Sequence, residues 1–380
     1  MNAERLMDAA TRRTGLADWG GRSFLDPLQM LVDSFQVDGA EADESVTTGF
    51  RREIVELLCT RLRIQHDVTA HADILDVTIR RPLVVVGLPR TGSTLLHHLL
   101  AQDPACRYLA FWELISPSPP PDASTRTTDP RIRIAAARLE KIYRRTPDLA
   151  RKHETTATGP EECKRLFNYT FMNDFNARWP VTSYHRWLRG TDRTEAYEYY
   201  HRILQLLTWR CPGRHLVLKS PSHLGHLDSL FHVLPDANVV WLHRDPMAVI
   251  PSICSLRKTL RGSASPAMAD GWAILEHSTR TIARALAVRA QQRSEQFLDV
   301  KYDELLSAPG ETVRRIYQTF GYEYPDDLDS RIASWLAAHP KDRHGAHFYR
   351  LDEYGLDANE IAGRLSGYCE RFGIAVRGYC

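Results

Sequence analysis

Three short stretches carry residue types suited to holding and transferring anionic groups. The first is Gly87-Leu-Pro-Arg-Thr-Gly92, followed by Ser93 and Thr94. Glycines at that spacing allow a tight turn whose backbone N–H groups face an anion, and a helix opening behind it adds its unpaired N–H groups and positive end. Against the triphosphate-loop pattern G-x-x-x-x-G-K-[ST], Gly87, Gly92 and Thr94 fit, but Ser93 stands where the lysine belongs. That lysine reaches the terminal phosphates of ATP or GTP, so its loss argues against either as substrate. The second stretch, Val217-Leu-Lys-Ser-Pro221, places Lys219 at the end of an apolar run. The third, Val240-Trp-Leu-His-Arg-Asp-Pro-Met-Ala-Val-Ile-Pro-Ser252, places Arg244 at the end of another, with Ser252 eight positions later. The 16 histidines include no H-E-x-x-H or similar pairing, so no metal motif accompanies these groups. A triphosphate-using enzyme also needs a carboxylate for Mg²⁺. Asp245 follows a strand, yet beside Arg244 and before Pro246 it reads as a helix cap. The pattern describes a cationic, metal-free site for several anionic groups on one nucleotide.

The elements that must position these residues are strands ending at each stretch. Leu83–Val86 is apolar and mostly β-branched, as a parallel strand covered on both faces requires, and a helix begins near Gly92. Further strands fall at 215–219, 238–243 and 297–302, with helices near 271–293, 311–320, 328–338 and 358–372. Pro251 is expected to kink or interrupt the helix after Pro246. This alternation predicts an α/β fold, a three-layer, doubly wound parallel sheet with its ligand at the carboxyl ends of the strands. Residues 1–80 read as a helical N-terminal extension, with 39–48 a polar loop inside it. Residues 106–213 hold helical periodicity at 132–143, 161–172 and 194–209 and ten aromatic residues between Phe167 and Tyr200. They read as a mainly helical cap inserted between 82–105 and 214–325 of the α/β core, with 326–380 a helical C-terminal segment of a single domain spanning 1–380. The aromatics are expected to be mostly core, with some lining an apolar acceptor pocket.

Composition narrows the function further. A net charge of +2 gives no general attraction to nucleic acid or membrane, so any anion site is local. Seven scattered cysteines, odd in number and lacking C-x-x-C spacing, favour reduced thiols and a cytoplasmic setting over a disulfide framework. No apolar run approaches the roughly 18 residues of a membrane span, and Glu4, Arg5 and Asp8 break any signal-peptide pattern.

Taken in order, the three stretches resemble sulfotransferases that use 3′-phosphoadenosine 5′-phosphosulfate (PAPS). Pro89-Arg-Thr-Gly-Ser-Thr-Leu-Leu96 is similar to their 5′-phosphosulfate loop, Val217–Pro221 to the segment carrying their catalytic lysine, and Val240–Ser252 to their 3′-phosphate motif. The likeness runs from about residue 82 to 305, and the version with Trp112-Glu113 looks nearest the bacterial and protein-tyrosine branches. It implies in-line sulfuryl transfer from PAPS to an acceptor hydroxyl, without metal, releasing adenosine 3′,5′-bisphosphate (PAP), while the aromatic-rich cap and the absence of a strongly basic surface lean toward a small-molecule or lipid-like acceptor over a sulfated polysaccharide. Arg90, Thr91, Gly92, Ser93 and Thr94 would hold the 5′-phosphosulfate, Arg244 and Ser252 the 3′-phosphate, and Lys219 the charge growing on the bridging oxygen. The resemblance offers Glu113 as first choice for the base that deprotonates the acceptor, and His223 as second. Tyr302, in Val300-Lys-Tyr-Asp-Glu-Leu305, and Arg343, in the basic loop Lys341–Gly345, are further nucleotide contacts it implies. A triphosphate-using kinase with a degenerate loop and an inactive nucleotide-binding module are the rival readings.

Overall fold

The computed structural model describes residues 1–261, 271–340 and 350–376. The chain divides into two compact units, one of Met1–Ile79, Ala110–Ala135 and Cys163–Pro212, the other of Arg80–Leu109, Ala136–Glu162 and Gly213–Cys380.

The second unit is an α/β sheet. Its strands are β1 (Leu83–Gly87), β2 (Cys106–Tyr108), β3 (His215–Lys219), β4 (Asn238–His243) and β5 (Phe297–Lys301), in the order β2-β3-β1-β4-β5. All pairings are parallel, with Val85 opposite both Lys219 and Val240. β1 lies at the centre and is buried along its whole length, which is why it tolerates only apolar residues and glycine. Alternate side chains then feed two helical layers. Leu83, Val85, Val217, Val240, Leu242 and Val300 pack with Leu96, Leu99 and Leu100 of the helix Ser93–Leu100 and with Val313, Ile316 and Phe320 of the helix Pro309–Phe320. On the opposite face of β4, Trp241 and His243 meet Phe372 of the helix Ala358–Phe372, with ring centroids 5.4 and 4.0 Å apart. Successive strands fall on one side of β1 up to β3 and on the other from β4, so the winding reverses at β1, where such sheets bind ligands.

The first unit is helical among the described residues. Its principal helices are Ala3–Thr14, Leu25–Asp38, Glu44–Ala70 and Thr194–Thr208. Asp43 caps the third by accepting the Val46 N–H at 3.0 Å, so the loop expected at 39–48 is half as long as the polarity of the stretch suggests. Phe35 stacks on Phe50 with centroids 3.9 Å apart, and Phe167, Tyr169, Phe171, Phe175, Tyr184, Tyr197, Tyr199 and Tyr200 are buried. These aromatics supply the core of the unit. The stretch expected as a helix over 161–172 is a 3₁₀ helix at Cys163–Thr170. Pro251 sits inside a helix that runs from Pro246 to Arg261, where its missing N–H costs one backbone bond without ending the element. The six described cysteines are buried thiols, and no described helix is long and apolar enough to cross a membrane.

Candidate active site

The carboxyl ends of β1, β3 and β4 assemble the charged groups of the second unit. Between β1 and its helix the turn needs glycine twice. Gly87 has φ +148°, and a Cβ there would lie 2.7 Å from the Leu242 carbonyl oxygen. Gly92 has φ +90° and presses on the Tyr302 ring, where a Cβ would lie 3.0 Å away. Thr91 braces the turn by donating its hydroxyl to the Leu88 carbonyl at 2.8 Å. The Leu96 N–H reaches Gly92 O at 3.1 Å, so the N–H groups ahead of it are those a helix leaves without intrahelical acceptors. Buried Ser93 and the half-buried Thr94 occupy that first turn.

Arg90 adopts φ +73°, a left-handed conformation costing a non-glycine residue about 1 kcal/mol or more. Three bonds hold it there. Its Nε donates to Ser252 Oγ at 3.1 Å and one terminal nitrogen to the Lys152 carbonyl at 2.7 Å. Its own carbonyl accepts from the Arg244 guanidinium at 2.7 Å. Arg244 also lies 4.0 Å above the centre of the Tyr302 ring, a cation–π contact. Asp245 accepts the Met247 N–H at 2.9 Å, acting as the helix cap that its position implies. Arg90, Arg244, Ser252 and Tyr302 therefore converge from two strand ends and β5. Neither arginine has a carboxylate partner among the described residues. Lys152 joins this cluster, with its ammonium on Ser255 Oγ at 2.8 Å and Thr259 Oγ1 at 2.6 Å, and burial lowers its pKa.

Lys219 lies on the other side of the loop helix. Its Nζ is 3.4 Å from Thr94 Oγ1 and 3.0 Å from Glu162 Oε1, in a pair whose side chains are 1% and 9% exposed. His153 Nε2 stands 3.8 Å from the same carboxylate oxygen. Burial disfavours the charged form of three other imidazoles nearby. Burial pushes His98 down to about 4 and His223 to about 3, and lowers buried His97 well below its ordinary value. Lys219 and Glu162 form the buried ion pair at this point.

Glu113 belongs to the helical unit, in the short helix Phe111–Ile115. Its Oε2 accepts the Ala110 N–H at 2.7 Å, its Oε1 accepts from Arg126 at 3.2 Å, and its side chain is fully buried. Arg343 and the Lys341–Gly345 loop lie outside the described residues. Lys152, His153 and Glu162 escaped the sequence reading. They sit in 136–162, a stretch read as cap that belongs to the sheet unit, and the adjacent pair Glu161-Glu162 after Gly159-Pro160 was the available signal.

A part-buried cation cluster beside a glycine turn, with a buried lysine at the next strand end, is suited to anionic groups. Comparison with known proteins gives the class. The sulfotransferase family model matches residues 82–326, and the chain belongs to that family. The crystal structure of sulfotransferase STF9 from Mycobacterium avium superposes with a TM-score of 0.88 at 31% identity, covering 100% of this chain and 98% of that one. Sulfotransferase STF1 from Mycobacterium tuberculosis H37Rv gives 0.82 at 31% identity, over 97% and 99%. The omega-hydroxy-beta-dihydromenaquinone-9 sulfotransferase Stf3 of Mycobacterium bovis is 23% identical over 303 residues, 74% of this chain and 71% of the relative. The chemistry of this chain is sulfuryl transfer.

Proposed function

We propose that this sulfotransferase takes its sulfuryl group from PAPS and delivers it in line, without a metal ion, to a hydroxyl of a lipid-like or other small-molecule acceptor. The observation that carries the donor assignment is the Arg90–Arg244–Ser252 cluster. Two guanidinium groups with no carboxylate partner among the described residues meet a hydroxyl and a helix N-terminus. Such a donor set favours an anion with more than one phosphate-like group. Arg244 and Ser252 would hold the 3′-phosphate, the Thr91–Thr94 turn with Ser93 and Thr94 the 5′-phosphate, and Arg90 would bridge the two. Tyr302 supports this arrangement as the ring beneath Arg244. Lys219 would stabilise charge on the bridging oxygen as the sulfur leaves it.

The acceptor class is supported by the relative named for a hydroxyl-bearing menaquinone. It is supported also by the near balance of charge in the chain, which gives no broad basic surface for a polyanionic sugar.

Calorimetry with PAP in the absence of Mg²⁺ tests the donor, and tight binding is expected. PAPS turnover with a long-chain primary alcohol should then fall about 10²–10³-fold in Lys219→Ala, the loss typical of one charge-stabilising donor. A wild-type protein that ignores PAP but turns over Mg·ATP would overturn the proposal.

A further inference from the structure

We propose that Glu162 takes the proton from the acceptor hydroxyl, an assignment that rests on the PAPS reading above. Lys219 Nζ contacts both Glu162 Oε1, at 3.0 Å, and Thr94 Oγ1 of the phosphosulfate loop, at 3.4 Å. An in-line transfer needs a cation for the oxygen that departs and a proton acceptor for the oxygen that enters. Those two oxygens flank a single sulfur, so the two protein groups must stand close together. Glu162 is a carboxylate that meets this condition at Lys219.

A partly exposed imidazole stands beside it: His153 Nε2 is 3.8 Å from Glu162 Oε1, and its side chain is 25% exposed. Its Nδ1 lies 3.2 Å from Thr155 Oγ1, which donates to Glu161 Oε2 at 2.7 Å. Of the other two candidates, Glu113 pairs with Arg126, which lies on neither the glycine turn nor a strand end, and His223, lowered by burial to about 3, is a weak base near neutrality.

In the step itself, the acceptor O–H proton passes to the Glu162 carboxylate while the acceptor oxygen bonds to sulfur. The bond from sulfur to the bridging oxygen breaks, and its electron pair stays on the nucleotide phosphate beside Lys219. Glu162 then releases the proton toward solvent and is a carboxylate again. A phosphosulfate beside Lys219 would share its ammonium and so loosen its hold on the base.

The test is Glu162→Gln, assayed with a long-chain primary alcohol, with 4-nitrophenol and with water (PAPS hydrolysis) as acceptors, alongside PAP calorimetry. The expected loss in kcat is about 10²–10³-fold with the alcohol and with water, which hold their protons tightly. It should be less than about 10-fold with 4-nitrophenol, already partly ionised in neutral water, and PAP affinity should stay within about 3-fold. The acid limb of the kcat profile should vanish in Glu162→Gln and survive in Glu162→Asp, which keeps a carboxylate one methylene shorter. Equal losses across the three acceptors overturn the assignment, as does an unchanged rate with the alcohol or with water. Loss of PAP binding in both variants would make Glu162 a structural partner of Lys219 instead. Failure of the wild type to bind PAP is a different result, and it strikes the donor reading.

Discussion

Arg61 and Arg244 solve the same physical problem in different units and to different ends. Both guanidinium groups lie against aromatic rings and donate to main-chain carbonyls. Arg61, in the helix Glu44–Ala70, is fully buried; it donates to Trp19 O at 3.1 Å and Tyr169 O at 2.8 Å, between the rings of Phe24 and Tyr199 at 4.2 and 3.9 Å. Burial lowers its pKa, and one of its terminal nitrogens has no hydrogen-bond partner. Arg244 is half-exposed and commits a single donor to Arg90 O. A sealed arginine with its donors turned inward serves the fold, whereas a part-exposed one with a donor committed only to Arg90 O suits the anion site proposed above. Exposure and donor use, more than residue type, distinguish the two.

The comparison can be broken by substitution. Arg61→Ala should destabilise the protein by roughly 3–5 kcal/mol in urea unfolding, because it removes two cation–π contacts and strands one buried and one part-buried carbonyl. The molecules that remain folded should bind PAP within about 2-fold of wild type. Acid should weaken the sheet unit next. His98 and His223 have folded pKa values of about 4 and about 3, below the 6.5 of a free imidazole, so between those limits the unfolded chain binds the extra proton. Stability should therefore fall as the pH drops below about 6.5, by up to about 1.4 kcal/mol per pH unit for each, with no contribution above about pH 7. Melts from pH 7 to 5 should show that slope, reduced in His223→Gln. Arg244→Ala should leave unfolding within about 1 kcal/mol but weaken PAP by about 10–100-fold, the reverse of Arg61→Ala. The smallest effect is expected from Lys152→Met, about 3–10-fold in PAP affinity at low salt and fading as ionic strength rises. Unchanged PAP affinity in Arg244→Ala would erase the contrast between the two arginines.

The sheet was largely legible in the sequence because its central strands are short apolar runs ending at marked residues. Leu83, His215, Asn238 and Phe297 open strands where the pattern indicates. β2 was not legible, since three residues on a sheet edge carry no periodicity. Tyr302 fell at the end of a predicted strand and instead begins the helix Tyr302–Ser307, which aims it beneath Arg244. At the site, Arg90, Lys219, Arg244 and Ser252 could be read because each stands at a fixed offset from a strand end. Lys152 and Glu162 could not. Their partners lie 103 and 57 positions away, on elements joined to them only by the fold; a lone lysine in a polar stretch has no spacing to betray it, and the pair Glu161-Glu162 after Gly159-Pro160 is a signal that names no partner. The same limit applies to Glu113: the sequence shows a carboxylate but not the Arg126 that occupies one of its oxygens.

The bonds that pin Arg90 in its left-handed turn all come from the protein's own groups. A turn braced in this way loses little freedom when an anion docks on it, so an ordering penalty takes little from the affinity.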